Sequence, residues 1–386
     1  MKNLFFTLLS GVICFNPLVK NVNTNEEITD LELNSNSVVL IEPISKTIIY
    51  EHNKDERHFP ASMTKMMGMY LVLENIKNGN LSWQDEVTTS EYASSMGGTQ
   101  IYLQPFEKMT VEDMFKAVCI NSANDAITAL GEHIAGSTPE FVKLMNKTAQ
   151  EIGMTNTNFM NPTGFDDDNH YTTPYDMALI ASELVRFDEE LFRFTRLKED
   201  YVRKDSDNPF WLVNTNKMLG HYDGLDGLKT GYTNKARYNL TATAKRNGVR
   251  LISVVMNVDT IAHRSQDTTT LLNYGFANTQ AIKLFDRDNV VANLNLSNSL
   301  EKDVPVIVKE NIIIVTDKNT KKEDLTVEVQ ITKTQAPIKE NEEVGLLIVK
   351  GKNGEEYKFK VYVSKDINKA NFFDYLWKIL LQFIFN

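Results

Sequence analysis

Cysteine is nearly missing from this chain: two residues in 386, Cys14 and Cys119. Cys14 lies in an apolar N-terminal stretch expected to be cleaved off, so the mature chain keeps one thiol. That excludes an internal disulfide and a cysteine-based zinc site. Basic residues are in deficit, 41 against 51 acidic, for a formal charge of -10. Nucleic acid is therefore not an expected partner, because phosphate binding wants a basic face. The six histidines, His52, His58, His133, His170, His221 and His263, show no H-E-x-x-H or related spacing. No metal centre and no other cofactor is expected. No apolar run reaches the roughly 20 residues that span a bilayer, and no repeat or low-complexity tract breaks the chain.

What is present is a chain with 42% apolar residues, long enough for two domains plus targeting pieces. Met1-Lys2-Asn3 followed by an apolar stretch from Leu4 to about Phe15 reads as a secretory signal. We place its end at residue 24. Ile13, just before Cys14, is too bulky for a lipoprotein signal. At the other end, Asp374, Lys378 and Gln382 fall four apart in residues 371–386 and make one polar stripe among Phe, Leu, Ile and Trp. Such a helix suits the membrane interface, apolar side down; the alternative is a helix docked on its own protein. The expected division is 1–24 signal, 25–282 catalytic domain, 283–365 β-rich domain and 366–386 amphipathic anchor.

Residues 37–51 read as two strands around a turn. Pro60 and the apolar spacing of Met66, Met69, Tyr70, Val72, Leu73 and Ile76 predict a helix over 62–78, stopped by Gly79. Residues 110–135 and 138–152 read as largely buried helices. Asn161-Pro162-Thr163-Gly164 is turn chemistry, and Thr172-Thr173-Pro174 a helix start. Strands are expected at 225–233, 237–245 and 250–257, then a helix over 262–275 with Gly275 near its end. Beyond residue 283, six short β-rich runs, from Val290–Leu296 to Glu356–Val363, predict a small all-β module.

Three short motifs carry chemistry. Ser62 and Lys65 stand three apart at a helix start, so the amine reaches the hydroxyl. An ordinary lysine, with a pKa of about 10.4, is protonated and useless as a base; burial and a second cation would lower it, and Lys229 can be that cation. The bland reading of Ser62-x-x-Lys65 is a helix cap. Ser122-Ala123-Asn124 lies between apolar runs, where polar groups are costly without partners. It is either a helix connector or a site in which Ser122 shuttles a proton and Asn124 holds the substrate carbonyl and the lysine. In Lys229-Thr230-Gly231-Tyr232, the glycine marks close approach by another backbone, such as an extended peptide. Thr230 can donate to a carboxylate and Lys229 attract one; the alternative is an edge-strand glycine beside a surface lysine.

In this order the motifs resemble those of the low-molecular-mass penicillin-binding proteins, the serine D-alanyl-D-alanine carboxypeptidases. The likeness extends to Pro60-Ala61-Ser62-Met63-Thr64-Lys65, Asn121–Ala126, His170–Met177, Asp226–Thr233, Arg250–Met256 and Leu272–Phe276. It implies an α+β fold: a serine β-lactamase/transpeptidase-like catalytic domain, an antiparallel sheet flanked by helices, followed by the all-β domain and the amphipathic helix. It implies attack by Ser62 on a peptidoglycan stem peptide ending in D-Ala-D-Ala, Lys65 as base and Ser122 as proton relay. The N–H groups of Ser62 and Tyr232 would form the oxyanion hole, and Thr230 and Arg264 would hold the terminal carboxylate. Arg264 could instead be a surface helix residue. β-Lactam antibiotics would acylate Ser62, and the enzyme would work outside the cytoplasmic membrane, on its surface. Ala123 stands where Gly or Asp is commoner and is small enough to fit, while Ile44-Ser45-Lys46-Thr47 lacks a usual turn glycine.

Two alternatives stay open: a serine β-lactamase, and a β-lactam-binding sensor that never turns over. No E-x-x-L-N pattern, the source of a deacylating glutamate, stands between Ser122 and Lys229.

Overall fold

The structure, a computed structural model, describes residues 31–385 apart from Ser297 and Asn353. The expected signal segment and Cys14 lie outside the described residues. In chain order the first body contains β1 (Ser37–Ile41), β2 (Ile48–His52), a 3-10 turn (Ala61–Thr64), α1 (Lys65–Lys77), β3 (Glu86–Thr88), α2 (Glu91–Ser94), β4 (Lys108–Thr110), α3 (Val111–Asn121), α4 (Asn124–Ala135), α5 (Thr138–Glu151), α6 (Pro174–Leu184), α7 (Glu189–Thr195), β5 (Glu199–Val202), β6 (Phe210–Val213), β7 (Leu225–Thr233), β8 (Arg237–Arg246), β9 (Val249–Val258) and α8 (Ile261–Asn278). The central sheet is antiparallel in the order β2-β1-β9-β8-β7, which leaves β7 at an edge.

Alternation along the strands separates the two faces of the sheet. Val39 pairs with Val254 and Ile41 with Ile252; these side chains join the large core built from α1 and α3 to α7. Leu40 and Leu251 point the other way, to α8. Gly275 lies inside α8, which runs on to Asn278 instead of ending at the expected residue 275. A Cβ at Gly275 would come within 2.5 Å of Leu251 and 2.8 Å of Leu40, so the glycine lets helix and sheet approach rather than stopping the helix. The expected stop at Gly79 fits its φ of +74° just beyond α1. Thr173 caps α6 with Pro174 behind it, as the Thr-Pro pair predicts. In the β1–β2 turn Lys46 takes the left-handed position (φ +60°) where glycine is usual.

The helical run 110–135 is two helices, and Ser122–Asn124 joins them as the connector reading has it. The run 110–135 breaks at Ser122, whose φ of +65° ends α3. The break is fixed from outside the run, because Asn124 N–H donates to Thr99 O at 2.7 Å.

The second body begins with β10 (Thr279–Phe285), unforeseen in the sequence, and continues through β11 (Val290–Leu294), β12 (Val304–Ile307), β13 (Ile312–Asp317), β14 (Thr326–Ile331), β15 (Glu343–Lys350) and β16 (Glu356–Val363). β10 pairs with β13 and the rest form one sheet in the order β11-β12-β16-β15-β14. β10 straddles residues 282 and 283, where the sequence places the domain boundary. An aliphatic and aromatic core of its own closes the body. The chain ends in α9 (Phe372–Phe385), on which Phe372, Phe373 and Trp377 are 73%, 74% and 65% exposed. Among the described residues no helix is long and apolar enough to cross a membrane.

Candidate active site

Ser62 sits on the 3-10 turn just before α1, not within the α-helix that the sequence suggests. Its neighbour Ala61 has φ +48°, a costly conformation for a residue with a Cβ. The surroundings enforce it. A Cβ on Gly164 (φ +86°) would lie 1.8 Å from Ala61 O, and one on Gly231 would lie 2.6 Å from Pro60 O. Two glycines therefore let the 161–164 turn and strand β7 clamp the serine turn from both sides. The close backbone approach foreseen at Gly231 comes from the chain's own Pro60–Ala61, not only from a visiting peptide.

Lys65 is fully buried and its Nζ is 2.9 Å from Ser62 Oγ. The same nitrogen donates to Thr163 O at 2.6 Å. Burial, reinforced by Lys229 and partly opposed by Asp125, holds the amine well below the ordinary lysine range. The Thr163 carbonyl is aimed by Asn161, whose Oδ1 accepts from Thr163 N, Thr163 Oγ1, Gly164 N and Phe165 N at 2.8–3.2 Å. Behind this turn, His170 Nε2 and Thr64 Oγ1 are 2.9 Å apart. Burial lowers the imidazole pKa to about 4, so His170 is a neutral structural group. The sequence marks Asn161 only as turn chemistry and gives His170 no catalytic role. Their part in fixing Lys65 has no local signal, because it appears only when the turn folds against α1.

Ser122 is almost fully buried, and its hydroxyl has no hydrogen-bond partner among the described residues. Buried polar groups are normally satisfied, which sets this hydroxyl apart. Asn124 departs from expectation: its Nδ2 donates to Gly97 O at 2.8 Å rather than to Lys65. Asp125, unassigned in the sequence, accepts from the N–H groups of Ile101, Leu103 and Ala126 at 2.9–3.2 Å. The second motif thus fastens the 97–103 segment over the cleft.

On β7, Lys229 is buried and its Nζ donates to Thr230 O at 3.1 Å. Burial, with a smaller push from Arg264 and against a pull from Cys119, lowers its pKa to about 7. Cys119 is buried, and that burial drives its thiol far above the usual range; it is no nucleophile. Thr230 Oγ1 donates to Thr215 Oγ1 at 2.7 Å. Tyr232 is half-exposed and packs on Tyr238, with ring centroids 4.4 Å apart. Arg264 is buried, not a surface residue: its Nε has no partner among the described residues, and burial lowers its pKa to about 10.

Ser62, Ser122, Thr230, Gly231, Tyr232 and Arg264 line one cleft of about 330 Å³. Lys65, Asn124 and Lys229 lie outside its lining. Thr99, Thr215, Lys217, Tyr238 and Ile261 complete the walls and were not singled out from sequence. A buried amine with a lowered pKa beside one hydroxyl, a second unpartnered hydroxyl, and an unpartnered guanidinium suit acyl transfer on a substrate with a terminal carboxylate.

Comparison with known proteins agrees with this chemistry. The family model described as D-alanyl-D-alanine carboxypeptidase matches residues 21–260, and that of the penicillin-binding protein 5 C-terminal domain matches residues 280–369. The D-alanyl-D-alanine carboxypeptidase DacF of Bacillus subtilis is 40% identical over 380 residues, 97% of each chain. The crystal structure of penicillin-binding protein 5 from Haemophilus influenzae has a TM-score of 0.68 at 30% identity, covering 89% of this chain and 100% of that one. Penicillin-binding protein D2 of Listeria monocytogenes, solved in its ampicillin-bound form, has a TM-score of 0.55 at 33% identity, covering 64% of this chain and 99% of that one. The chain belongs to the D-alanyl-D-alanine carboxypeptidase family of serine hydrolases.

Proposed function

We propose that Ser62 is the nucleophile of a serine D-Ala-D-Ala carboxypeptidase that trims peptidoglycan stem pentapeptides and so limits cross-linking. The observation that carries the reading is the 2.9 Å contact between Ser62 Oγ and a lysine amine buried away from water. A neutral amine has two N–H groups and one lone pair. One N–H is held by Thr163 O; the nitrogen lies 2.9 Å from Ser62 Oγ, and when its lone pair turns to that oxygen it accepts the serine proton. The serine oxygen then attacks the carbonyl of the penultimate D-Ala.

The developing oxyanion is met by the N–H groups of Ser62 and Tyr232. β7 is an edge strand, so alternate backbone groups face away from β8 and are open to a substrate strand. Thr230 and Arg264 hold the terminal carboxylate, with Lys229 supplying positive charge from behind. Ser122 passes a proton to the leaving amine. Lys65 replaces the Ser122 proton with the one it took from Ser62, and D-Ala departs; in the second half Lys65 takes a proton from the water that attacks the acyl-enzyme and gives it to the departing Ser62 Oγ. Asn124 holds the substrate carbonyl with one amide N–H, while the other holds Gly97 O and with it the 97–103 segment. β-Lactams, whose strained amide mimics the scissile bond, acylate the same oxygen.

The enzyme works outside the cytoplasm, on the cell wall. Residues 1–24 act as its secretory signal, and α9 attaches it to the outer face of the cytoplasmic membrane. What supports attachment is the exposure of Phe372, Phe373 and Trp377 on a helix of 14 residues, too short to span about 30 Å of hydrocarbon.

The test is release of D-Ala from a pentapeptide ending in D-Ala-D-Ala, with Ser62→Ala as control. Release by the wild type and none by the variant is expected. Repeated hydrolysis of benzylpenicillin with the peptide untouched would point to a β-lactamase, and covalent labelling without turnover of either to a sensor.

A further inference from the structure

A second groove, of about 650 Å³, opens beside the cleft. Tyr102 and Phe210 stand over it, rings 5.9 Å apart and inclined at 62°. Tyr102 is 62% exposed with φ +57°, unusual for a bulky residue. Asp125 is the cause: its carboxylate holds the N–H groups of Ile101 and Leu103, on either side of Tyr102, and turns the tyrosine outward. The motif that reaches the catalytic cleft therefore also presents this ring.

The chemistry of the lining selects a ligand class. Arg203 is spent internally: Nε and Nη2 donate to Glu107 at 2.6 and 3.1 Å, and Nη1 donates to Ile101 O at 2.9 Å. The groove's only lining cation and its nearest carboxylate thus neutralise each other, and a strongly anionic ligand finds no free positive charge. What the lining offers is Gln104, Asp207 and Asn208, side chains that exchange hydrogen bonds with hydroxyls and amides, beside an open aromatic face. That is the surface an amino sugar needs: C–H groups against a ring, hydroxyls and an N-acetyl group against side-chain amides and a carboxylate acceptor.

Position fits as well. Thr99 lines the catalytic cleft and Ile101 lines the groove; two residues of chain span at most about 7 Å. In a stem pentapeptide the fourth residue is acylated, and an extended chain of three more, at about 3.3 Å each, carries the peptide's N-terminus roughly 10 Å away. The glycan is attached at that N-terminus.

We infer that the groove between Tyr102 and residues 206–210 binds the amino-sugar part of peptidoglycan, so that the enzyme reads glycan and stem peptide together. The inference rests on the carboxypeptidase reading above. It is tested with two substrates: an N-acetylated pentapeptide, and the same pentapeptide carrying an N-acetylglucosaminyl-N-acetylmuramyl disaccharide. The wild type should favour the glycan-bearing substrate in kcat/KM by roughly three- to tenfold, the value of one aromatic contact at an open site. The gain should lie mainly in KM. Tyr102→Ala should erase the preference while the rate on the sugar-free peptide stays level, and Tyr102→Phe should retain it. Equal wild-type rates on the two substrates would overturn the inference and leave the carboxypeptidase reading standing; so would a preference that survives in Tyr102→Ala. Release of D-Ala from neither substrate would overturn both.

Discussion

Lys65 Nζ is 2.9 Å from Ser62 Oγ, and the lysine has no exposed surface. Without water to solvate an ammonium, and with Lys229 near enough to repel one, the amine gives up its proton far more readily than lysine in solution. If the neutral form is the working base, as proposed, acylation should rise with pH through the depressed Lys65 pKa. Lys229 works as a cation, and its pKa of about 7 in the free enzyme sets the opposite limb. The pH profile of kcat/KM for D-Ala release should therefore be bell-shaped. Lys229→Met removes the cation that lowers Lys65. It should cut kcat/KM, abolish the alkaline limb and move the acidic limb to higher pH. An acidic limb that stays in place would show that Lys229 does not act on Lys65.

Gly164 is the strictest steric demand at the site. An alanine there needs a left-handed backbone (φ +86°) and a Cβ placed 1.8 Å from Ala61 O. The Ala61–Ser62 turn must move, so Gly164→Ala should cost about 2–4 kcal/mol of stability and slow labelling by fluorescent penicillin. Gly79→Ala is the control. It shares a positive φ of +74° but has nothing within 4 Å, so it should cost only about 1 kcal/mol with labelling unchanged. Denaturant midpoints and labelling rates, measured together, separate backbone strain from damage to the site. Equal effects from the two variants would sink the clamp argument.

What could be read in the sequence was what acts along it. Ser62 and Lys65 face each other because they are three apart, and Gly231 reports a close approach because a strand interior has little other use for glycine. The body of α8, the α6 start and most β-module strands follow from local patterning in the same way. What stayed hidden acts across the fold. Asp125 bonds to residues 22–24 positions upstream, Asn161 aims a carbonyl at a lysine 98 residues before it, and the break at Ser122 is fixed by Thr99. β10 was missed because Thr279-Gln280-Ala281-Ile282-Lys283 can continue a helix, and only pairing with β13 makes it a strand.

Asp125 offers a test of that hidden layer. Its carboxylate accepts three backbone N–H groups and also raises the Lys65 pKa against burial. Asp125→Asn keeps one acceptor oxygen and removes the charge. It should cost about 1–3 kcal/mol of stability, the usual penalty for buried donors left unpaired. Without the carboxylate the Lys65 pKa drops further, so the acidic limb of kcat/KM should move to lower pH, opposite to Lys229→Met. Two variants on either side of one amine, shifting one limb in opposite directions, would establish Lys65 as the titrating group. Shifts of the same sign would count against it.

The last prediction concerns α9. Phe372, Phe373 and Trp377 are each well over half exposed, and a large apolar side chain moved from water into hydrocarbon gains about 1.5–3 kcal/mol. Three of them together supply roughly 5 kcal/mol, comparable with the single acyl chain that binds membranes marginally, at about 10⁴ M⁻¹. Attachment through this helix is therefore expected to be reversible. The mature chain should float with phospholipid vesicles in a density gradient, and a chain lacking residues 371–386 should stay at the bottom. D-Ala release from a soluble pentapeptide should be the same for both, because the cleft is built entirely within the first body. Flotation of the truncated chain would move the attachment to another surface, and loss of its activity would show that the helix supports the fold rather than the membrane contact.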